Sequence, residues 1–543
     1  MNYPRQWMLG CIFLVAVDPL AAAPPDSGLE KALIKPSPTV GEASALAERI
    51  DQLLASKWQE AQVEPSDLTD DAEFMRRIYL DVAGRIPTVS EARAFLAANG
   101  QDKRPKLIEK LLASPAYANH FTNVWGELLI PEARAANRLR FLEPGFDAWL
   151  RKHFSDNTRY DQTVRELIAA ELFDKSKPGA SPYSRVGRTS PISFYLAKEL
   201  KPENLAAATA RIFMGVKLEC AQCHDHPHAK WTRQQFWETA AFFACFEGQN
   251  ANGFVNNAKE VPERHEIVMP GGARVVQAAF LDGGKPDWKN RISPRVALAE
   301  WLTRPENPYF ARATVNRLWG HFFGNAIVEP IDDLIGENKP SHPELLEELA
   351  RQFAAHDFDF KYLVRAITLS RAYQLSSRSK SADPPDVRLF ARMAIKGLSP
   401  EQLFDSLVQA TGYREDKSDP NRVFDPISAR QEFLTKFAQA DKRTEAQTSI
   451  LQALALMNGR FVHSATTPEV GETLAAVLDA PFFDTAGRIE TLYLATLSRK
   501  PRSEEAEKLI KFVNKAKTRE ESRTALADVF WALLNSSEFN LNH

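Results

Sequence analysis

Apolar side chains recur roughly every three to four positions along most of the chain, which is the spacing that places them on one face of an α-helix. Clear examples are Ile108, Leu111 and Leu112; Leu205, Ala208, Ile212 and Val216; Leu345, Leu346, Leu349 and Phe353; and Leu363, Ile367 and Leu369. No tandem repeat of fixed period accompanies these segments, so the pattern does not indicate a solenoid. From Ile50 onward, the sequence predicts a mainly α-helical fold.

One segment, between Gly248 and Asn290, departs from this pattern. It is rich in glycine and asparagine, and it then alternates apolar and polar residues in two short runs, 265–269 and 273–277, around Pro270-Gly-Gly. Alternation of this kind on both sides of a glycine-containing turn predicts a β-hairpin. The segment therefore predicts a small β-containing connector between two helical modules.

The first residues have the layout of a secretory signal peptide. One positive charge at Arg5 precedes an apolar run at 7–17, and alanines follow at 21–23. The run is shorter than the roughly 18 residues that indicate a membrane span, and no later segment reaches that length. We therefore expect an exported protein, in the periplasm or at the cell surface, without a membrane span.

The next residues, 24–46, carry several prolines and few large apolar side chains, which predicts a flexible linker. The expected organisation is a signal peptide at 1–23, a flexible linker at 24–47, an N-terminal helical module at 48–248, a β-containing connector at 249–290 and a C-terminal helical module at 291–543.

Length and charge narrow the function classes. At 543 residues the chain is long enough for several domains with full cores, so disulfide staples are not needed. The 68 basic and 70 acidic residues nearly cancel, which gives no electrostatic reason to expect nucleic acid as a partner. We expect a small or neutral partner.

The stretch Glu219–His228, ECAQCHDHPH, gathers two cysteines and three histidines in a chain with four cysteines in all. We call it the Cys/His loop. One helix carries residues 205–216 towards it, and a second begins after Thr232, which forms a capping-box pattern with Gln235. Pro227 disfavours helical geometry at the residue before it. The sequence therefore predicts a loop between two helices.

Cys220-Ala-Gln-Cys223-His224 has the spacing of a c-type haem attachment site. In such a site two thiols reach the two vinyl groups on one edge of the porphyrin, and the adjacent imidazole ligates the iron. The prediction is covalent haem c on Cys220 and Cys223, with His224 as the proximal iron ligand. His226 is a further candidate metal ligand.

Other chemistry fits the same loop. Two cysteines separated by two residues, with His224, His226 or His228 nearby, also match a zinc site. In an exported protein the two cysteines could instead form a disulfide or stay unmodified. The remaining mature cysteine, Cys245, lies in an apolar run and is expected to be a buried small hydrophobe.

The sequence does not fix a sixth iron ligand. The candidates in the mature chain are Met214, Met269, Met393 and Met457. A methionine ligand raises the reduction potential and suits electron transfer. An open distal side would instead favour reaction with a peroxide or a substrate.

Several longer strings resemble a known family. Residues 70–87, DDAEFMRRIYLDVAGRIP, and the Cys/His loop followed by Trp231-Thr232 resemble the N-terminal module of a large exported family linked to planctomycete-type cytochromes. Strings similar to its C-terminal module are NPYFARATVNRLWGHFFG at 307–324, SHPEL at 341–345, LQALALMNG at 451–459 and WALLNSSEF at 531–539. The resemblance covers nearly the whole mature chain.

The resemblance implies a link to cytochromes, which supports the haem interpretation, while both modules of the family are domains of unknown function. Many relatives carry a cytochrome c domain ahead of the first module. Here only a short linker precedes Ile50, so the expected partner is a separate electron-transfer protein. The family occurs in bacteria rich in polysaccharide-degrading systems, which suggests a carbohydrate-related small molecule. The family pattern differs at 228–230, so it assigns no role to His228.

A second group of polar residues lies in the C-terminal module. Arg317 and His321 are four positions apart and share a helix face, next to Asn316, and Asp332 follows in a loop. Such groups bind a substrate hydroxyl or carboxylate, or they form a buried hydrogen-bonded network between helices.

In the N-terminal module, Arg76, Arg77 and Asp81 stand near the end of a predicted helix. Local ion pairing and helix termination are sufficient to explain them.

The favoured function is that of an exported c-type haem protein with a redox or electron-transfer role, such as a haem-dependent oxidoreductase in oxidative carbohydrate breakdown. One alternative is a cell-surface binding or scaffold protein with a structural zinc site at the Cys/His loop. The other is a hydrolase that uses Arg317, His321 and Asp332.

Overall fold

The structure is a computed structural model. It describes residues 39–135, 137–173, 181–227, 229–251, 254–272, 274–288, 293–381, 383–414, 429–437, 466–467 and 471–543. The predicted signal peptide, 1–23, lies outside the described residues.

Helices dominate the described residues, so the predicted mainly α fold is confirmed. Before the β connector they are α1 (Val40–Glu60), α2 (Asp71–Ile78), α3 (Val89–Ala97), α4 (Lys103–Leu112), α5 (Pro115–Leu129), α6 (Pro131–Ala135), α7 (Glu143–Ser155), α8 (Tyr160–Ile168), α9 (Ile192–Ala197), α10 (Pro202–Thr209) and α11 (Arg233–Ala240). After it they are α12 (Pro294–Leu302), α13 (Phe310–Phe323), α14 (Pro343–Ala355), α15 (Phe360–Leu369), α16 (Pro400–Thr411), α17 (Ala429–Phe437), α18 (Glu472–Asp479), α19 (Thr485–Leu497), α20 (Ser503–Val513), α21 (Arg519–Leu534) and α22 (Ser537–Asn540).

The first helix begins at Val40, inside the segment 24–47 that the sequence assigns to a flexible linker. Thr39 and Glu42 form a capping box at its start, and Ala43 and Leu46 are buried in the core. The helical part of the chain therefore begins at Val40 and not at 48, because a capped amphipathic helix continues through the expected boundary.

Three two-stranded antiparallel sheets occur among the described residues. They pair β1 (Phe246–Ala251) with β2 (Phe254–Glu260), β3 (Glu266–Val268) with β4 (Val275–Gln277), and β5 (Lys396–Gly397) with β6 (Leu541–Asn542). The predicted hairpin is present as β3–β4, with Ile267 opposite Val276. The β1–β2 hairpin lies in the segment rich in glycine and asparagine.

Two apolar clusters form the interior, and each draws on both halves of the chain. The larger one collects side chains from α1 through α15. The smaller one is built from α16 to α22 and also takes Leu80 and Ile86 from the N-terminal half. Residues 38–543 accordingly form one compact unit.

A buried charged network around Asp81 joins distant parts of this unit. Lys396 Nζ lies 2.8 Å from Asp81 Oδ1, and Asn542 Nδ2 donates to the same oxygen at 2.8 Å. The Tyr373 hydroxyl donates to Asp81 Oδ2 at 3.0 Å. Because Asp81 and Lys396 are both fully buried, each charge depends on the other for compensation.

The neighbouring arginines are also buried, and they bind distant backbone oxygens. Arg76 donates to Thr496 O at 3.0 Å and to Phe539 O at 2.7 Å, and Arg77 donates to Tyr373 O at 2.6 Å. The local explanation of these residues was therefore incomplete: α2 holds the C-terminal segment of the chain in place.

Candidate functional site: the Cys/His loop and its surroundings

The Cys/His loop follows a fixed chain reversal. Beyond α10 the chain forms a π-helical turn, Ala210–Met214, and it ends at Gly215 with a φ of 62°, which a residue without a side chain adopts easily. A Cβ on Gly215 would lie 2.5 Å from Leu334 Cδ1, and Leu334 N donates to Gly215 O at 2.8 Å. The loop therefore starts against the segment that carries Asp332.

Both thiols of the loop are exposed. Residues Glu219–Gln222 form a 3-10 turn whose Ala221 is fully buried, while Cys220 and Cys223 are exposed and free. The turn is anchored by its small apolar side chain, so the cysteines on either side of it face outward.

Hydrogen bonds hold the backbone around these cysteines in place. They run from Trp237 Nε1 to Gln222 O at 3.1 Å, from Arg233 N to Asp225 Oδ1 at 2.7 Å, and from His226 N to Trp231 O at 2.8 Å. The predicted capping box of Thr232 and Gln235 starts α11 directly after the loop. The loop is therefore exposed but tethered at both ends.

The imidazole of His224 is exposed and oriented by its neighbour. His224 Nδ1 lies 2.8 Å from Asp225 O. A carbonyl oxygen only accepts, so Nδ1 carries the proton and donates. In the neutral imidazole Nε2 then keeps its lone pair, which is the arrangement of a metal-ligating histidine whose second nitrogen is fixed by a backbone carbonyl.

A groove beside the loop has space for a ligand. It has a volume of about 530 Å³, within the range of small-molecule sites. Its lining comes from the loop region and from the segment after α13: Pro227, Ala229, Lys230, Ile335, Gly336 and Glu337. Cys220, Cys223 and His224 are the residues that would hold a covalently attached haem, and the groove lies beside them at Pro227.

The described methionines are unsuited as a sixth ligand in their present positions. Met214, Met269 and Met393 are 1%, 6% and 0% exposed and belong to the larger apolar cluster. Met457 lies outside the described residues. A methionine ligand from the first three would require the core to repack.

The zinc alternative draws on the same loop residues. No group of three His, Cys, Asp or Glu side chains placed to hold a metal occurs among the described residues, which exclude His228. His226 is partly exposed. Burial raises the pKa of Asp333, and nearby Asn338 and His226 act in the opposite direction.

Cys245 is fully buried, and burial raises the pKa of its thiol to about 12, so it is a core residue as expected.

A charged cluster lies next to the loop and consists of Arg211, Glu219, Arg317 and Asp332. Arg211 Nε lies 3.4 Å from Glu219 Oε1, and Arg211 Nη1 lies 3.8 Å from Asp332 Oδ2. Burial lowers the pKa of Arg317, while Tyr160 and Asp332 raise it and Arg211 lowers it further. Two of the residues proposed from sequence, Arg317 and Asp332, are therefore neighbours of the Cys/His loop.

The side chain of Asn316 positions this part of the cluster. It is fully buried, donates to Val328 O at 3.0 Å and accepts from Val328 N at 2.9 Å. A further donation to Ile331 O at 3.3 Å fixes the backbone next to Asp332. The structural alternative, a buried network between segments, therefore applies to Asn316.

His321 contacts the residues around the buried Asp81. Its Nε2 donates to Asp81 O at 2.9 Å, and its ring lies 5.4 Å from that of His120 and 5.5 Å from that of Phe121. The contacts of Asp332 are with Arg211. The geometry thus links Asp332 and Arg317 to the Cys/His loop and links His321 to the buried Asp81 network.

Two residues of the charged cluster, Arg211 and Glu219, were missed in the sequence. A signal was present, because Glu219 directly precedes Cys220 and Arg211 lies on the helical segment leading into the loop. Their relation to Arg317 depends on tertiary packing, since about 100 positions of sequence separate them, and no local pattern reports such a contact.

The fold and the site define a mainly α-helical protein with a tethered, exposed Cys/His loop beside a charged cluster. None of the helices that the structure describes combines the length and apolar character needed to cross a bilayer.

Two parts of the chain match known family models. Residues 49–247 match the PSCyt2 family model, a protein of unknown function (DUF1549), and residues 294–437 match the PSD1 family model, a protein of unknown function (DUF1553). No curated protein and no solved structure matches the chain. The two matched parts meet at the candidate site, since Arg211 and Glu219 lie in the first and Arg317 and Asp332 in the second.

Proposed function

We propose that the protein is an exported c-type haem protein with a redox or electron-transfer role. Cys220 and Cys223 hold haem c through thioether bonds, and His224 is the proximal iron ligand. The observation that carries the proposal is the state of His224, whose Nδ1–H is engaged by Asp225 O so that Nε2 is available.

Attachment of haem to the two thiols requires no added oxidant. Each thiol adds across one vinyl double bond, so a carbon–sulfur bond forms and the thiol hydrogen moves to the other vinyl carbon. The chain contributes the positions of Cys220 and Cys223, two exposed residues in the turn that the buried Ala221 anchors. When bound, haem accepts and releases one electron at a time.

Because the loop is exposed, a partner protein can reach a group that is attached to it. A group attached at Cys220 and Cys223 lies at the protein surface, where a separate electron-transfer protein can approach it. The charges around the site are mixed, so the surface does not favour a strongly charged partner. A carbohydrate-related small molecule as the oxidised substrate rests on the family resemblance alone.

The proposal is tested by production in a host with haem-attachment machinery. The wild-type chain is expected to be red and to keep its haem through acid-acetone extraction. Cys220→Ala and Cys223→Ala should each leave one thioether bond, visible as a shifted pyridine haemochrome band. Cys245→Ala is the matched control, because Cys245 is buried and is not part of the loop, and it should keep both bonds.

A colourless, folded wild-type chain from that host would overturn the proposal. If such a chain held zinc at one ion per molecule, the binding or scaffold alternative would replace it. The hydrolase alternative predicts a different result, an activity lost in His321→Ala and kept in Cys223→Ala.

A further inference from the structure

The charged cluster contains buried polar atoms that lack hydrogen-bond partners. Among the described residues, Nε of Arg211, Nε of Arg317 and Oε2 of Glu219 are buried without a hydrogen-bond partner. In folded proteins, more than about 90% of buried polar groups are paired, and each exception needs a physical reason. Three such atoms within one cluster indicate a species that bridges them.

The distances within the cluster support the same conclusion. Charge-assisted hydrogen bonds between guanidinium and carboxylate measure about 2.7–2.9 Å. Arg211 lies 3.4 Å from Glu219 and 3.8 Å from Asp332 at the nearest atoms. The charges attract one another, but both separations are longer than a charge-assisted hydrogen bond, so these ion pairs leave hydrogen-bonding capacity unused.

The chemistry of the donors selects the bridging group. A guanidinium presents its N–H groups as a planar fork, which matches the two oxygens of a carboxylate. Asp332 is an acidic residue that acts on Arg317, and it is shared with Arg211. Burial raises the pKa of Glu219, and Arg211 opposes this effect.

We propose that Arg211 and Arg317 form a carboxylate-binding site beside the Cys/His loop. Two sources supply this chemistry. One is a propionate of the attached haem, and this source rests on the proposed function. The other is a free small carboxylate, which is independent of it. The site joins the two family-matched parts of the chain, since Arg211 comes from the first and Arg317 from the second.

The first arm of the test uses the haem-free chain, made in a host without haem-attachment machinery, and sodium propionate as the probe. Titration calorimetry and thermal shift are expected to detect binding, and Arg317→Gln and Arg211→Gln should each weaken it at least about tenfold. Arg312→Gln is the matched control on the same helix, because Arg312 is exposed and pairs with Glu347. It should bind propionate like the wild type. Far-UV circular dichroism checks that each variant is folded.

The second arm uses the haem-loaded chain. If a haem propionate occupies the site, this chain no longer binds free propionate, and Arg317→Gln changes the pH dependence of the reduction potential. If the site serves a free carboxylate, the loaded chain binds sodium propionate as before and the pH dependence is unchanged.

The proposal is overturned when folded, haem-free chain binds no propionate and Arg317→Gln leaves the pH dependence of the loaded chain unchanged. That result would assign the hydrogen bonds of the unpaired atoms to water. A chain that takes up no haem but binds propionate through Arg317 would reject the proposed function and keep the carboxylate site.

Discussion

Individual buried polar residues in this protein owe their properties to partners far away in the sequence. Arg76 illustrates this at the residue scale, because burial lowers its pKa to about 10 and its acceptors are backbone oxygens near the C-terminus. For His342, the shifted pKa results mainly from burial itself. It is 4% exposed, its Nε2 has no hydrogen-bond partner among the described residues, and its ring packs 5.3 Å from that of Phe390.

The burial of His342 predicts a loss of stability in acid. Burial lowers the pKa of His342 from 6.5 to about 4, with Lys57 adding to the effect and Glu60 opposing it. Because the folded-state pKa lies below the unfolded value, the stabilisation is present above pH 6.5 and is lost as the pH falls towards 4. The loss amounts to about 3 kcal/mol.

His342→Gln should remove this part of the pH dependence, which denaturant unfolding at a series of pH values measures. The control is His265→Gln at a partly exposed histidine, which should keep the acid sensitivity of the wild type. If His342→Gln lost stability in acid as steeply as the wild type, the assignment to this residue would be wrong.

At the scale of the elements, the C-terminal segment is held by α2. Arg76 donates to the backbone oxygens of Thr496 and Phe539, and Asn542 in β6 donates to Asp81. A strand of two residues has too few hydrogen bonds to be stable alone. The side chains of α2 and of the π-helical turn Tyr79–Ala83 therefore hold β6 in place.

Arg76→Met should release this segment. Buried carbonyl groups left without a donor cost about 1–3 kcal/mol each, so we expect a loss of roughly 2–4 kcal/mol in the free energy of unfolding. Hydrogen exchange at 537–543 should rise. Arg49→Met is the control, because Arg49 is exposed and donates to Gln52 within α1. Unchanged exchange at 537–543 in Arg76→Met would show that the segment is held by other contacts.

The sequence predicted those elements whose signals are local. The capping box of Thr232 and Gln235 and the β3–β4 hairpin around Pro270 were read correctly, because neighbouring residues determine both. The start of α1 at Val40 was missed, since prolines upstream outweighed the capping box at Thr39.

Long-range pairs left no trace in local patterns. Arg76 and Phe539 are 463 positions apart, and Arg211 and Arg317 come together only through packing of α13 on the turn Ala210–Met214. For the site, the spacing of Cys220, Cys223 and His224 was enough to propose the chemistry. The charged cluster beside them needed the fold.

At the scale of the whole molecule, the two halves form one unit. Leu80 and Ile86 enter the smaller apolar cluster, and α1 packs against α15. A group of acidic side chains around Arg134 adds an electrostatic link, since Glu127 on α5 and Glu401 on α16 both influence it. The parts matched by two family models are therefore expected to unfold together.

The raised pKa of Glu127, one of these acidic side chains, predicts that the stability of the fold changes with pH near neutrality. Burial raises the pKa of Glu127 from 4.5 to about 7, opposed by Arg134. Since the folded-state pKa is raised, the stabilisation is present below pH 4.5 and is lost as the pH rises through about 7. Half of the side chain is exposed, so solvent reduces the size of the effect.

Glu127→Gln, which imitates the protonated acid, should gain thermal stability over the wild type at about pH 8 and show little difference at about pH 5. Glu504→Gln on α20 is a control at an exposed acid and should show no such change. An equal difference at both pH values would place the origin of any pH response outside Glu127.

The proposed attachment of haem to the Cys/His loop is tested by intact mass under denaturing conditions. For the chain made with haem-attachment machinery, we expect a mass increase of one haem, mapped to the peptide that contains Cys220 and Cys223. Chain made without the machinery should lack it. A folded protein from the competent host with no added mass on that peptide would contradict the account.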